Sequence, residues 1–579
     1  MIYGDFNLQR GDADATRKWG GQQQAIAVGQ ATAGTPTTLG SASPVADLQR
    51  DLATLGFLYV KGSTTPGEFD DFTEGAVREL QAYAKMAVAA VENPSAQGAY
   101  VERLSSVPTG SFKYAGHVSG VVNAGTRKVI EHWLAQKWRC PVVLDGWTTR
   151  GTPVRTQENV WRFDEVAGGL VVKARDFSGY YREQRATDPL WKIGKSVRYQ
   201  GTHGPSGDTT VAWPELELTP ELVFGQSFDS LNGANQSTFR VVRCVAEIEC
   251  MGFFDIINAY DRAVVSTGLV HWTFLDGSGE LSELLVQLAE IAPADYAKAF
   301  VFFGLDVRTK AATAAHDPVS VKLEDEDGKY RRIIEHAHPR TQEERDLKRE
   351  ELARLNYMRN WHWCYRFVMT ARTLASYRQE MWKKVMYRIM TIQGVQLDEL
   401  TTIPFTAADG TAQRRPATIG DALTSELGMG ILLRWHVLSP AGVVGARNRG
   451  GSAIRAALRD AKAARPALGW SNAPTTWGQA EEDAIIQALK DQATHGSNEM
   501  QKSIPKVSAF PGAGRPEWRV DRAHIGALST RRGSFEFSPS PGYGYFFADD
   551  PLNAGGFGSD HASGRVKPGP VRATTISKR

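Results

Sequence analysis

The chain has 579 residues, 42% of them hydrophobic, with 67 lysines and arginines against 64 aspartates and glutamates and a formal net charge of +3. That length allows several domains with large cores, and the near-balanced charge with no strong basic run argues against a nucleic-acid partner while suiting an anionic polymer weakly. Four cysteines (Cys140, Cys244, Cys250 and Cys364) are too few for a disulfide framework and are expected as free, mostly buried thiols. No run of 18 apolar residues occurs, so no membrane span is expected, and the start Met1-Ile2-Tyr3-Gly4-Asp5 lacks the basic and apolar regions of a signal peptide.

Residues 1–44 are rich in Gly, Ala, Thr and Gln and read as a flexible N-terminal arm. From Val45 a short amphipathic helix carries Leu48-Gln49, Leu52 and Leu55-Gly56-Phe57. A loop then leads through Phe69-Asp70 and Thr73, a plausible N-cap, into a helix with Ala76-Val77 and Leu80-Gln81. A partial echo follows at Gly120 to Arg127 and in the Val129, Ile130, Trp133 stripe, which extends the unit over residues 45–145. This layout resembles the small three-helix peptidoglycan-binding domain. The resemblance implies attachment to bacterial cell wall. The leucine-glutamine pattern looks self-contained, so deletion of residues 1–141 is expected to spare the chemistry of the remainder.

Residues 146–235 hold short alternating runs such as Leu170-Val171-Val172 among Gly-rich loops and read as irregular β structure. Asp176, Tyr180 and Tyr181 there are better read as surface groups than as cleft lining. Residues 236–510 are mainly helical around one distinctive stretch. Val241, Val242, Val245 and Ile248 share one apolar helix face, Glu247 and Glu249 close it, and Gly252 offers a C-terminal stop. Val264 to Phe274 is β-branched and aromatic, as one strand would be, with close backbone approach expected at Gly268. The turn Asp276-Gly277-Ser278-Gly279 precedes a helix on Leu281, Leu284, Leu285 and Leu288.

A glycosidase needs a carboxylic acid beside the scissile bond and a second group to place water or balance charge. A Glu on the last turn of a buried helix suits the acid, since apolar neighbours and the helix dipole both favour its protonated form. Glu249 precedes Asp261 by 12 positions and Gly268 by 19. With Ser266-Thr267-Gly268-Leu269-Val270-His271-Trp272, this set resembles the lysozyme superfamily, most closely goose-type lysozymes and related phage and chitosanase-like enzymes. The resemblance implies hydrolysis of the peptidoglycan β-1,4 glycan backbone, with Glu249 as acid, Asp261 as base or water-positioning group, and Tyr260, Ser266, His271 and Trp272 shaping the cleft. His271 stands where those relatives carry Gln, which keeps a chitosan or chitin substrate open. Glu247 remains the alternative acid. No cofactor or metal is needed by this chemistry; Glu335-His336-Ala337-His338 lacks metal-ligand spacing.

The longest helical signal spans Thr341 to Gln393, and a second lobe follows with Arg434 and His436 as candidate substrate contacts. Residues 511–579 are Gly/Pro/Ser-rich and read as a tail draped on the body. The expected fold class is α+β, mainly helical. The expected route is cytoplasmic synthesis followed by action in the periplasm or at the wall, alone or carried in a phage or contractile injection particle whose structural proteins would be partners. A non-catalytic wall-binding component of such a particle is the rival reading.

Overall fold

A computed structural model describes residues 3–23 (except 5 and 17), 43–58, 65–86, 89–92, 101–104, 113–140, 143–146, 159–164, 170–176, 195–198, 217–309 (except 251, 260–264, 275–279 and 304), 319–324, 330–335, parts of 363–371, 374–397, 402–406, 410–445, 450–510 and 525–537. The protein is α+β and mainly helical.

The first unit is built on α1 (Pro44–Thr54), α2 (Asp71–Met86) and α3 (Ala124–Ala135). The loops before α2 and α3 use one device twice. Gln49 accepts from Gly67 N and donates to Glu68 O and Thr73 Oγ1; Gln81 accepts from Gly120 N and donates to Val121 O and Thr126 Oγ1. Asp70 and Asn123 each receive the N–H and hydroxyl of the threonine three residues on, satisfying helix-start donors. Gly67 and Gly120 both sit at φ +78, a left-handed position that favours glycine. The echo near Gly120 is therefore a structural repeat. Between its halves, β1 (Ala89–Glu92) pairs with β2 (Val101–Leu104) and with β3 (Trp138–Arg139).

The flexible-arm expectation for residues 1–44 needs correcting over residues 3–23. Tyr3, Leu8 and Trp19 are buried, and Leu8 exchanges backbone hydrogen bonds with Val122 while residues 11–14 bond to Gly67 and Phe69. Asp14 caps α1 from a distance, accepting from Val45 N and Ala46 N, where Ser43 makes no side-chain cap. Asp12 holds the turn by accepting from the amides of Gln9, Gly20 and Gly21. Tyr3, Leu8 and Trp19 thus belong to the first unit's core.

The unit is also joined to the rest. Glu79 on α2 is buried in an ion pair with Arg366, whose guanidinium lies over the rings of Phe303 and Trp363, and Tyr83 meets Phe303 edge-on at 5.3 Å. Deleting residues 1–141 would strand Arg366 and uncover those rings, so the first unit does not pack independently of the remainder.

Seven strands pair antiparallel in chain order, with the helical segment 220–250 inserted between the fourth and fifth: β4 (Val143–Gly146), β5 (Asn159–Asp164), β6 (Leu170–Asp176), β7 (Lys195–Arg198), β8 (Ile257–Ala259), β9 (Val265–Thr267) and β10 (Trp272–Phe274). The segment expected as irregular flanking β structure thus extends the same sheet, with β7 pairing β8 at Val197 and Ile257.

Against this sheet lies the helical lobe. Its centre is α4 (Gly233–Cys250), buried almost all round rather than along one face; Ile248, expected on the apolar face, is half-buried. Gly252 stops α4 at φ +82, its N–H returning to Ala246 O. On α4 pack α6 (Ala375–Gln393), α7 (Glu426–Leu438) and α10 (Asn498–Ser508); α5 (Glu280–Ile291) packs on α6, and of the paired α8 (Ser452–Ala464) and α9 (Gln479–Thr494) the latter packs on α10. Arg240 on α4 forks onto Glu426 at the start of α7. Residues 525–537 run without regular structure across this lobe. Arg532 ties them down on Glu482 and the carbonyls of Asp421, Ala422 and Pro474.

Candidate functional site

Two positions apart on an α-helix, Glu247 and Glu249 point about 200° away from each other. Glu247 turns into the core: its side chain is fully enclosed and accepts from Arg243 Nε at 3.0 Å, while Arg243 also reaches Leu218 O and Glu217. Its role is structural. Glu249 turns toward the hairpin and keeps 11% of its side chain exposed. Its Oε1 forms an ion pair with Arg434 Nη1, and its Oε2 lies 3.7 Å from His271 Nδ1.

His271 reaches that place because Val265 to Phe274 is not one strand. It is a hairpin, with Val265 opposite Phe274, Ser266 opposite Thr273 and Thr267 opposite Trp272, closed by the turn Gly268 to His271. His271 N donates to Gly268 O at 3.1 Å, and His271 itself sits at φ 52, an uncommon left-handed position for a residue other than glycine. The turn thereby presents an imidazole with 18% side-chain exposure to the end of α4.

Gly268, at φ +79, confirms the expected close approach, but to the protein itself. A Cβ there would stand 2.7 Å from Met381 Sδ and 3.3 Å from Trp272 Cδ1. Gly268→Ala is therefore expected to cost about 1–3 kcal/mol from the left-handed backbone and the Met381 overlap. Urea unfolding of the two proteins would measure it; equal midpoints would show that the turn yields freely.

Other expected cleft residues stand elsewhere. Ser266 and Trp272 are buried within the sheet and against α6, and the Trp272 ring is flanked by Lys384 at 5.6 Å and Arg388 at 4.7 Å. Neither shapes a cleft in this arrangement. His436 is buried with its Nδ1 3.5 Å from Arg388 Nη1, and Arg434 keeps only 3% side-chain exposure, so neither reaches a substrate directly. Tyr260 and Asp261 lie outside the described residues, as do Tyr180, Tyr181, His336 and His338. Among the described residues no group of three or more His, Cys, Asp or Glu stands close enough to hold a metal ion. None of the described helices is long and apolar enough to cross a membrane.

Burial lowers the Arg434 guanidinium to about 10, with Glu499 and Cys244 acting in the opposite sense. Glu249 thus faces a guanidinium at contact distance, where the sequence leads to apolar surroundings being expected. Sequence reasoning named both Arg434 and Glu249 but did not join them. The available signal was a lone arginine inside the apolar run Ile431-Leu432-Leu433-Arg434-Trp435, which calls for a buried counter-charge.

Residues 41–88 match the family model described as a putative peptidoglycan binding domain, covering α1 and α2. The chain therefore carries a peptidoglycan-binding module, and the repeated glutamine device carries the module's pattern on to α3. No curated protein and no solved structure matches the chain.

Proposed function

We propose that the chain hydrolyses the β-1,4 glycan backbone of peptidoglycan, with Glu249 as general acid and Asp261 as base or water-positioning group. The observation that supports it is the division of the two carboxylates at the end of α4. Glu247 is locked in the core, whereas Glu249 keeps 11% of its side chain exposed beside the hairpin turn. The peptidoglycan-binding module on the same body supports the substrate class. Glu249 gives its proton to the glycosidic oxygen, and the C1–O bond breaks with its electron pair passing to the leaving sugar. Water adds at C1 and its proton goes to Asp261. A general acid must carry its proton to act, so hydrolysis should fall as pH rises through the titration of Glu249.

The rival reading, a wall-binding component without catalysis, is favoured by the same ion pair and by the burial of Ser266 and Trp272. A zymogram on purified peptidoglycan, run beside chitosan, separates the readings. Clearing of peptidoglycan supports the proposal, and clearing of chitosan alone moves the substrate. Clearing of neither, with the protein still sedimenting with walls, gives the rival reading.

A further inference from the structure

The two oxygens of Glu249 have different surroundings. Oε1 faces Arg434, which is 3% exposed and rises from the buried helix α7; Oε2 faces His271 at the partly open edge of the turn. Among the described residues Arg434 Nε has no hydrogen-bond acceptor, and Arg434 Nη1 meets Glu249 Oε1 in the ion pair. A guanidinium enclosed in apolar helix would be costly if its purpose were packing alone. Resting on the hydrolase reading above, we propose that Arg434 is the positioning residue of Glu249: it holds Oε1 and the charge state of the carboxylate, and leaves Oε2 as the oxygen that exchanges the proton with substrate.

The charged and titratable groups around this pair come from four elements. They are Glu249 and Cys244 on α4, His271 on the hairpin turn, Glu499 on α10, and Arg434 itself on α7. His271, 3.7 Å from Oε2, adds a second cation there when protonated. Removing the permanent cation withdraws the attraction that holds Glu249 ionised. The carboxyl should then keep its proton to higher pH, and the basic limb of the hydrolysis profile should move the same way.

The test is a carboxyl ¹³C NMR titration of glutamate-labelled full-length protein, with the Glu249 signal identified by its loss in Glu249→Gln. In Arg434→Met the Glu249 midpoint is expected to move up by about 1–3 pH units. Should that variant fail to fold, Arg434→Gln is titrated instead, with the same expectation. Arg434→Lys keeps a cation without the planar fork. It should leave the midpoint near the wild-type value and lower kcat by about 10²-fold with KM little changed, as misplacement of a reacting group does. An unmoved midpoint in the neutral variants, or full kcat in Arg434→Lys, overturns the proposal. The titration requires no turnover, so it decides on Arg434 separately from whether the wild-type protein hydrolyses walls.

Discussion

Arg366→Ala is expected to lower stability by about 3–5 kcal/mol, the usual cost of removing one member of a buried ion pair. Glu79 is 1% exposed, and both of its oxygens accept from Arg366 Nη2, at 2.6 and 2.5 Å. The substitution also removes the guanidinium from between the Phe303 and Trp363 rings, so packing is lost with the charge. Burial pushes the Glu79 carboxyl up and Arg366 draws it back. Without Arg366 the upward push is unopposed, so the folded variant prefers a protonated Glu79. Its deficit should be complete near neutral pH, where the unfolded chain ionises this group freely. It should shrink as pH falls toward the ordinary carboxylate range, where both states carry the proton. Denaturant unfolding near pH 7 and near pH 4.5 would show this. A loss below about 1 kcal/mol at both pH values would mean that the peptidoglycan-binding module and the helical lobe are not fastened through this pair.

The second large effect concerns rate. Glu249→Gln should lower wall hydrolysis by about 10²–10⁴-fold, because the amide keeps the carboxyl's shape but has no proton to give. It also leaves Arg434 without its carboxylate, so a loss of some stability accompanies the loss of rate and must be measured separately. Glu247→Gln should behave in the opposite way. It weakens the bond from Arg243 that ties α4 to Leu218 and Glu217, and so lowers stability while sparing turnover at temperatures where the variant is folded. Full activity in Glu249→Gln would remove this residue from the mechanism.

Much of the local order was legible. The succession of helix, carboxylate, turn signal and helix from Val241 to Leu288 follows from apolar spacing and glycine, and Gly252 stops α4 where expected. The hairpin was not legible as such, because its turn is apolar: Leu269 and Val270 are buried in the core, so the usual polar turn chemistry is missing and only Gly268 marks the reversal. The N-terminal segment was misread for a related reason. Tyr3, Leu8 and Trp19 have no helical or strand period, and their burial depends on loop edges near Gly67 and Val122 that only the folded chain brings to them. Long-range charge pairs are the least legible of all. Arg366 and Glu79 are separated by 287 positions, and nothing local to either distinguishes a buried partner from a solvated group. Spacing alone singles out Glu249 and His271, which the fold brings to 3.7 Å from each other. The burial of Ser266 and Trp272 depended on which side of a hairpin, rather than of a single strand, faces α6.

The claim that the chain cleaves the glycan backbone is tested most directly by mass spectrometry of what it releases from purified peptidoglycan. The wild-type protein is predicted to release soluble muropeptides with new reducing sugar ends and intact peptide stems, and Glu249→Gln to release almost none. Wild-type protein that sediments with the walls yet releases no glycan fragments, or that frees peptides from unbroken glycan strands, would contradict it.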